Sequence, residues 1–225
     1  MCTVVVSLDP AALMPLLLVG FRDEFADRPW RPPARHWPGT SLIGGKDERA
    51  GGTWLAVDPD AHSVACVLNG RGQPAPEDIR RTRGELPLGR MGELASYDPF
   101  HLVTADPAEV TLLSWDGRES HREVLGPGTH VITNDGPDPD NPKVKYFGPR
   151  FAKERPSGDR AVSFADAWRS WAGLIAGDGL ASDDPSAIVV RSQLPDGRVW
   201  GTTSVSYVAL AADRMRYDFQ AIPNG

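Results

Sequence analysis

The sequence predicts a layered α+β domain, and three observations carry that expectation. Short apolar runs bounded by turn residues fill the first 133 positions and return after position 187, the pattern of β-strands. One segment, Ser163 to Ile175, instead spaces its apolar residues as a helix does. No internal repeat or low-complexity linker divides the 225 residues, so a single domain over 1–225 with a sizeable core is expected.

The elements follow in order. Cys2 to Leu8 alternates, with Cys2, Val4, Val6 and Leu8 on one face and Thr3, Val5 and Ser7 on the other. Leu16 to Arg22 reads as a second strand, and residues 26–40, with Pro29, Pro32, Pro33 and Pro38, as irregular chain. Gly51-Gly52 turns into a strand at Thr53–Val57, and Asp58-Pro59-Asp60 turns it back into Ser63–Leu68. Residues 76–94 read as a short helix or irregular arm whose charges form a solvated face. Strands are expected at His101–Ala105, Val110–Trp115 and Thr129–Thr133. Residues 134–160, rich in Asp, Pro, Gly and Lys, read as a long functional or mobile loop. Ser163 caps a helix whose Phe164, Trp168, Trp171 and Ile175 form a core stripe, and Gly177 and Gly179 end it. Strands at Ala187–Arg191, Thr203–Ala211 and Arg214–Gln220 complete the chain, with Asp213 turning the last hairpin.

Composition narrows the function classes. The net charge of −6 argues against a general nucleic-acid binder, which shows a basic footprint. The apolar run Leu16-Leu17-Leu18-Val19 is far too short to span a membrane and follows no basic region, so a cytoplasmic protein is expected. The two cysteines, Cys2 and Cys66, form no CxxC pair, and the five histidines lack HxH or HExxH spacing. No metal or other cofactor is expected. Homo-oligomerisation is left open.

Cys2 is the foremost candidate for chemistry. With Met1 removed, it carries a thiol titrating near ~8.5 and an α-amine near ~7.7–8.0, which places a nucleophile and a base in one residue. Arg22 and Asp23 close the second strand, where an arginine stabilises a thiolate and an aspartate orients an amine. Successive strand residues point to opposite faces, so only one of the two faces Cys2 unless a bulge intervenes. Asn69 and Asn134 end strands and are turn residues or oxyanion donors.

Several segments in consistent order resemble the NRDE-motif family, also called the transport and Golgi organisation protein 2 family. They are Met1-Cys2, Phe21-Arg22-Asp23-Glu24-Phe25 followed by Arg28-Pro29, and Gly51 to Ala56. Arg83-Gly84-Glu85-Leu86, Tyr97-Asp98-Pro99-Phe100, Gly126-Pro127-Gly128 with Thr133-Asn134, and Trp200 to Ser204 continue the series. The resemblance implies the four-layer αββα sandwich of the N-terminal nucleophile hydrolases. It implies a cysteine amidohydrolase or acyltransferase acting on a small amide or acyl substrate, with Cys2, Arg22, Asp23, Asn69 and Asn134 as site residues. The alternative it implies is a non-enzymatic haem- or lipid-related binding or trafficking protein on the same fold, with haem as its ligand. Two departures stand out: Phe21 replaces the motif's asparagine, and Thr203 replaces an arginine.

Overall fold

The computed structural model describes residues 3–223; Met1, Cys2, Asn224 and Gly225 lie outside the described residues. In chain order the strands begin with β1 (Thr3–Leu8), β2 (Leu16–Phe25), β3 (Trp30–Ala34), β4 (Ile43–Asp47), β5 (Leu55–Asp58) and β6 (Ser63–Asn69). Next come β7 (Phe100–Ala105), β8 (Val110–Trp115), β9 (Ser120–Leu125) and β10 (Gly128–Thr133). Helices α1 (Pro142–Lys153), α2 (Phe164–Ala167) and α3 (Ala172–Ile175) follow, then β11 (Arg191–Gln193), β12 (Val199–Ala211) and β13 (Arg214–Ala221). This is an α+β arrangement dominated by antiparallel sheet, with few helices.

The strands form two sheets. One runs β10-β1-β2-β12, with β11 and β13 both paired to the far edge of β12; the other is the meander β3 to β9. Period-two alternation decides what each side chain of β1 and β2 meets. Val4, Val6, Leu8, Leu16 and Leu18 pack between the sheets against Leu55, Cys66, Val103 and Leu112. Val5, Leu17, Val19 and Phe21 face outward and are covered by the helical segments through Phe147, Phe151, Trp168 and Trp171. The expected alternation of the first strand is therefore present from Thr3 onward. The outer face of the second sheet buries Val67, Leu102 and Trp115 beneath Leu86 and Tyr97. The segment 76–94, expected as a short helix or irregular arm, holds one 3-10 turn, Arg83–Leu88, and a second, Leu94–Ser96, begins at its end.

Four readings change. Within the proline-rich stretch 26–40, Trp30–Ala34 is a strand, paired to β4 with a register shift around Pro32 and Pro33. It is the edge of the meander, where a missing N–H breaks no ladder bond. The expected loop 134–160 contains α1. Asn141 caps it by accepting from the Lys143 N–H at 2.9 Å, Pro142 opens it, and Phe147 and Phe151 bury one face. Trp171 donates its indole N–H to the Phe151 carbonyl at 3.0 Å, satisfying an acceptor near the helix end. The single helix 163–175 is broken: α2, a 3-10 turn at Arg169–Trp171, then α3. Ser163 does cap it, and Trp168, Trp171 and Ile175 are buried, but Phe164 is exposed. The Ala187–Arg191 strand is displaced to β11; Ala187 and Ile188 are instead buried in an irregular segment. The polar edge strand β9 had no apolar alternation to announce it.

Candidate active site

Antiparallel pairing brings the start of β1 beside the end of β10 and beside β2, which runs on past the expected close at Arg22 to Phe25. Thr3 pairs with Phe21 on β2 and with Thr133 on β10. Arg22 and Asn134 are the next residues along those strands. Cys2, bonded to Thr3, lies outside the described residues.

Arg22 is almost fully buried, at 3% exposure, so its charge must be met by protein. Its Nη1 donates to Thr203 Oγ1 at 2.9 Å, and the Thr203 hydroxyl donates to the Arg22 carbonyl at 3.1 Å. Its guanidinium lies 4.5 Å from the centre of the Trp54 ring, a cation–π distance. Asp47 and Glu24 carboxylates stand 3.7 and 3.9 Å from its other terminal nitrogen. The β2–β12 register shifts between Thr202 and Ser204, so a bulge sits at Thr203. Thr202 donates to Asp23 Oδ1 at 2.7 Å and accepts from the Val190 N–H at 3.0 Å. Bulged β12 thus engages both Arg22 and Asp23, through two adjacent threonines.

Arg22 opens on a cleft of about 380 Å³ between the ends of the two sheets, which Asn69 also lines. Of the charges read as a solvated face, Arg80 and Arg81 are exposed as expected and Arg83 is half-buried, and all three line this cleft. Asp23 and Asn134 are not among its lining residues. Asn134 is tied to the same end by its neighbours. Arg71, two residues beyond Asn69, pairs with Asp135, and the Asn141 amide donates to that carboxylate at 2.8 Å. His101 shares a 2.8 Å hydrogen bond with Ser114 Oγ. Burial lowers its pKa, countered in part by its hydrogen bond to the Asn134 backbone.

The cleft floor depends on Asp47. It accepts from the Arg28 guanidinium at 2.6 Å and from the Arg49 and Ala50 N–H groups. Burial alone would raise its carboxyl, but the Arg28 and Ala50 hydrogen bonds and the charges of Arg28 and Arg22 hold it below the usual range. The cleft wall depends on glycine. The Thr53 N–H donates to the Gly84 carbonyl at 2.9 Å, and a Cβ on Gly52 would stand 2.4 Å from the Gly84 carbonyl atoms. Gly52→Ala should therefore push the Arg83–Leu88 turn outward and cost about 1–3 kcal/mol, the range for overpacking. A urea midpoint equal to wild type would contradict this contact.

Residues 1–161 match the family described as Transport and Golgi organisation 2. The chain belongs to the Transport and Golgi organisation 2 family. Comparison with curated proteins finds no match.

The match to the Transport and Golgi organisation 2 family covers β1, β2 and the arginine arm, and stops before β12. The threonine partners of Arg22 and Asp23 therefore come from outside the matched segment. Both departures from the family pattern have a structural setting. Phe21 is fully buried on the helical side, away from the cleft, and Thr203 is the bulged acceptor of Arg22. Sequence reasoning passed over Asp47, Thr202 and the place of Arg83 in the cleft wall. Asp47 carried no motif signal of its own, whereas Thr202 and Arg83 lay inside segments that resemble the family's motifs.

Proposed function

We propose that this member is a cysteine amidohydrolase or acyltransferase of the N-terminal nucleophile type, acting on a small amide beside Arg22. The carrying observation is that Arg22 and Asn134 directly follow the two residues paired with Thr3, to which Cys2 is bonded. Two facing sheets with helices outside one of them support the N-terminal nucleophile hydrolase sandwich. A cleft of about 380 Å³ falls within the size range of small-molecule sites.

In this reading, removal of Met1 frees the α-amine of Cys2. The amine takes the thiol proton, and the thiolate attacks the amide carbonyl. Asn69 or Asn134 donates to the oxyanion. The α-ammonium returns its proton to the departing amine, leaving a thioester that water or an acceptor amine then cleaves. Arg22 favours the thiolate, and Asp23 orients the α-amine. Intact-mass analysis and adduct mapping after treatment with an acyl electrophile test the proposal. Expected are loss of Met1 and an adduct on Cys2; retained Met1 defeats the mechanism, because no free α-amine then exists at that residue.

The binding-protein alternative draws on one other observation. A second pocket, of about 360 Å³, lies against the helical segments, with apolar walls including Phe164, Trp168, Ile175, Val205 and Tyr207. On this reading it takes a lipid tail or a haem. Hemin titration would shift the Soret band, or a fluorescent fatty acid would gain intensity; neither response occurring removes this reading.

A further inference from the structure

The arginine arm points to a substrate class. The chain as a whole is acidic, yet five arginines and three carboxylates line the cleft. Each carboxylate is already engaged. Asp47 accepts from Arg28, Asp98 pairs with Arg80 at 3.3 Å and accepts from the Ala75 N–H, and Glu24 faces Arg22 and Arg28. Arg81 is held by Glu85 at 2.7 Å and projects over the Tyr97 ring.

Arg83 differs from these four. Among the described residues no carboxylate comes within ion-pair distance of it. Its one hydrogen-bond partner there is neutral: Nη1 donates to the Pro99 carbonyl at 2.9 Å. A guanidinium has five N–H donors in a fixed fork, so most of its hydrogen-bonding capacity remains for a ligand. Burial pulls its pKa down, opposed by the more distant charges of Asp98 and Glu24. The backbone contact of Gly84 on Gly52 and Thr53 fixes the arm that carries it. A half-buried, positioned guanidinium without a carboxylate partner is suited to a bidentate oxyanion.

We propose that the substrate of this cleft is a small amide bearing an anionic group, a carboxylate or a phosphate, which Arg83 binds. The proposal rests on reading the cleft as the acylation site. It deepens that reading by giving Arg83 the role of selecting acidic over neutral amides.

The test is ligand-detected NMR and calorimetric titration of the full chain with N-acetylglycine, glycerol 3-phosphate and the neutral N-acetylglycinamide. Wild type should bind at least one anion about tenfold or more tightly than the neutral amide, the scale of a charge-assisted hydrogen bond. Binding of N-acetylglycine alone assigns a carboxylate, and binding of glycerol 3-phosphate alone a phosphate. Arg83→Gln should remove the preference and Arg83→Lys retain part of it. Arg118→Gln, at an exposed arginine paired to Gln73, should leave it unchanged. Circular dichroism checks that each variant folds, and the lysine variant decides if the glutamine variant does not. Equal affinity for the neutral amide, or anion binding undiminished in the Arg83 variants, overturns the inference. Wild type that is acylated at Cys2 but binds neither anion overturns this inference alone. Anion binding through Arg83 without acylation of Cys2 overturns the nucleophile reading alone.

Discussion

An acyl electrophile applied to the native protein at pH 7 is expected to modify Cys2 alone, and Cys2→Ala is expected to lose that modification. The other cysteine supplies the contrast. Cys66 lies on β6, pairs with Leu55 and Val103, and is fully buried between the sheets. Burial pushes its thiol up to about 12. At pH 7 such a group is a thiolate about once in 10⁵ molecules, against a few per cent for an ordinary thiol. Ionisation alone therefore disfavours Cys66 by roughly a thousandfold, before its inaccessibility is counted. Residual native labelling of Cys2→Ala should be below about one per cent of the wild-type rate. Equal labelling of the two proteins would remove Cys2 as the nucleophile.

Arg22→Met should lower stability by about 3 kcal/mol, the low end for breaking a buried ionic contact from one side. The methionine keeps an unbranched apolar stem but loses the 2.9 Å bond to Thr203 and the charge over Trp54. Asp47 retains Arg28 as a partner, which is why the loss falls at the low end of the range. The expected observation is a lower urea midpoint with an unchanged slope. Under the proposed function, the midpoint of the pH–rate profile for acylation of Cys2 should also rise by about one unit, because a cation beside the thiol is lost. Arg22→Lys restores charge without the planar fork, so it should recover the pH profile more than the stability. Wild-type stability and pH profile in Arg22→Met would show that Arg22 neither holds the cleft nor tunes the thiol.

The strands nearest the start of the chain were the most legible. Val4, Val6 and Leu8 turn inward and Val5 outward, as their spacing required. The final hairpin at Asp213 was equally plain. Helix α1 was hidden by its composition. Gly148 and Pro149 lower helix propensity within it, and only the burial of Phe147 and Phe151 against the first sheet overrides that preference. The helix-like spacing of 164–175 suggested one continuous element, yet Trp168 adopts a non-helical backbone between α2 and the following 3-10 turn. Arg22 and Asp23 were identified as neighbours of the same site. What joins them is the bulge on β12, a strand some 180 residues away.

The sequence by itself determined the two-faced strands, the family, and the set of polar residues that end those strands. These follow from local periodicity and from short ordered motifs, which need no knowledge of distant chain. Tertiary structure alone decided which charges share a cleft. Arg83 reads as one more surface charge until Gly84 meets Gly52 and draws its guanidinium into the cleft with Arg22. Thr203 reads as a lost arginine until the bulge makes it the acceptor of Arg22. Both outcomes depend on backbone approaches between segments far apart in sequence, and such approaches are set by how the two sheets pack, not by any local pattern of residues.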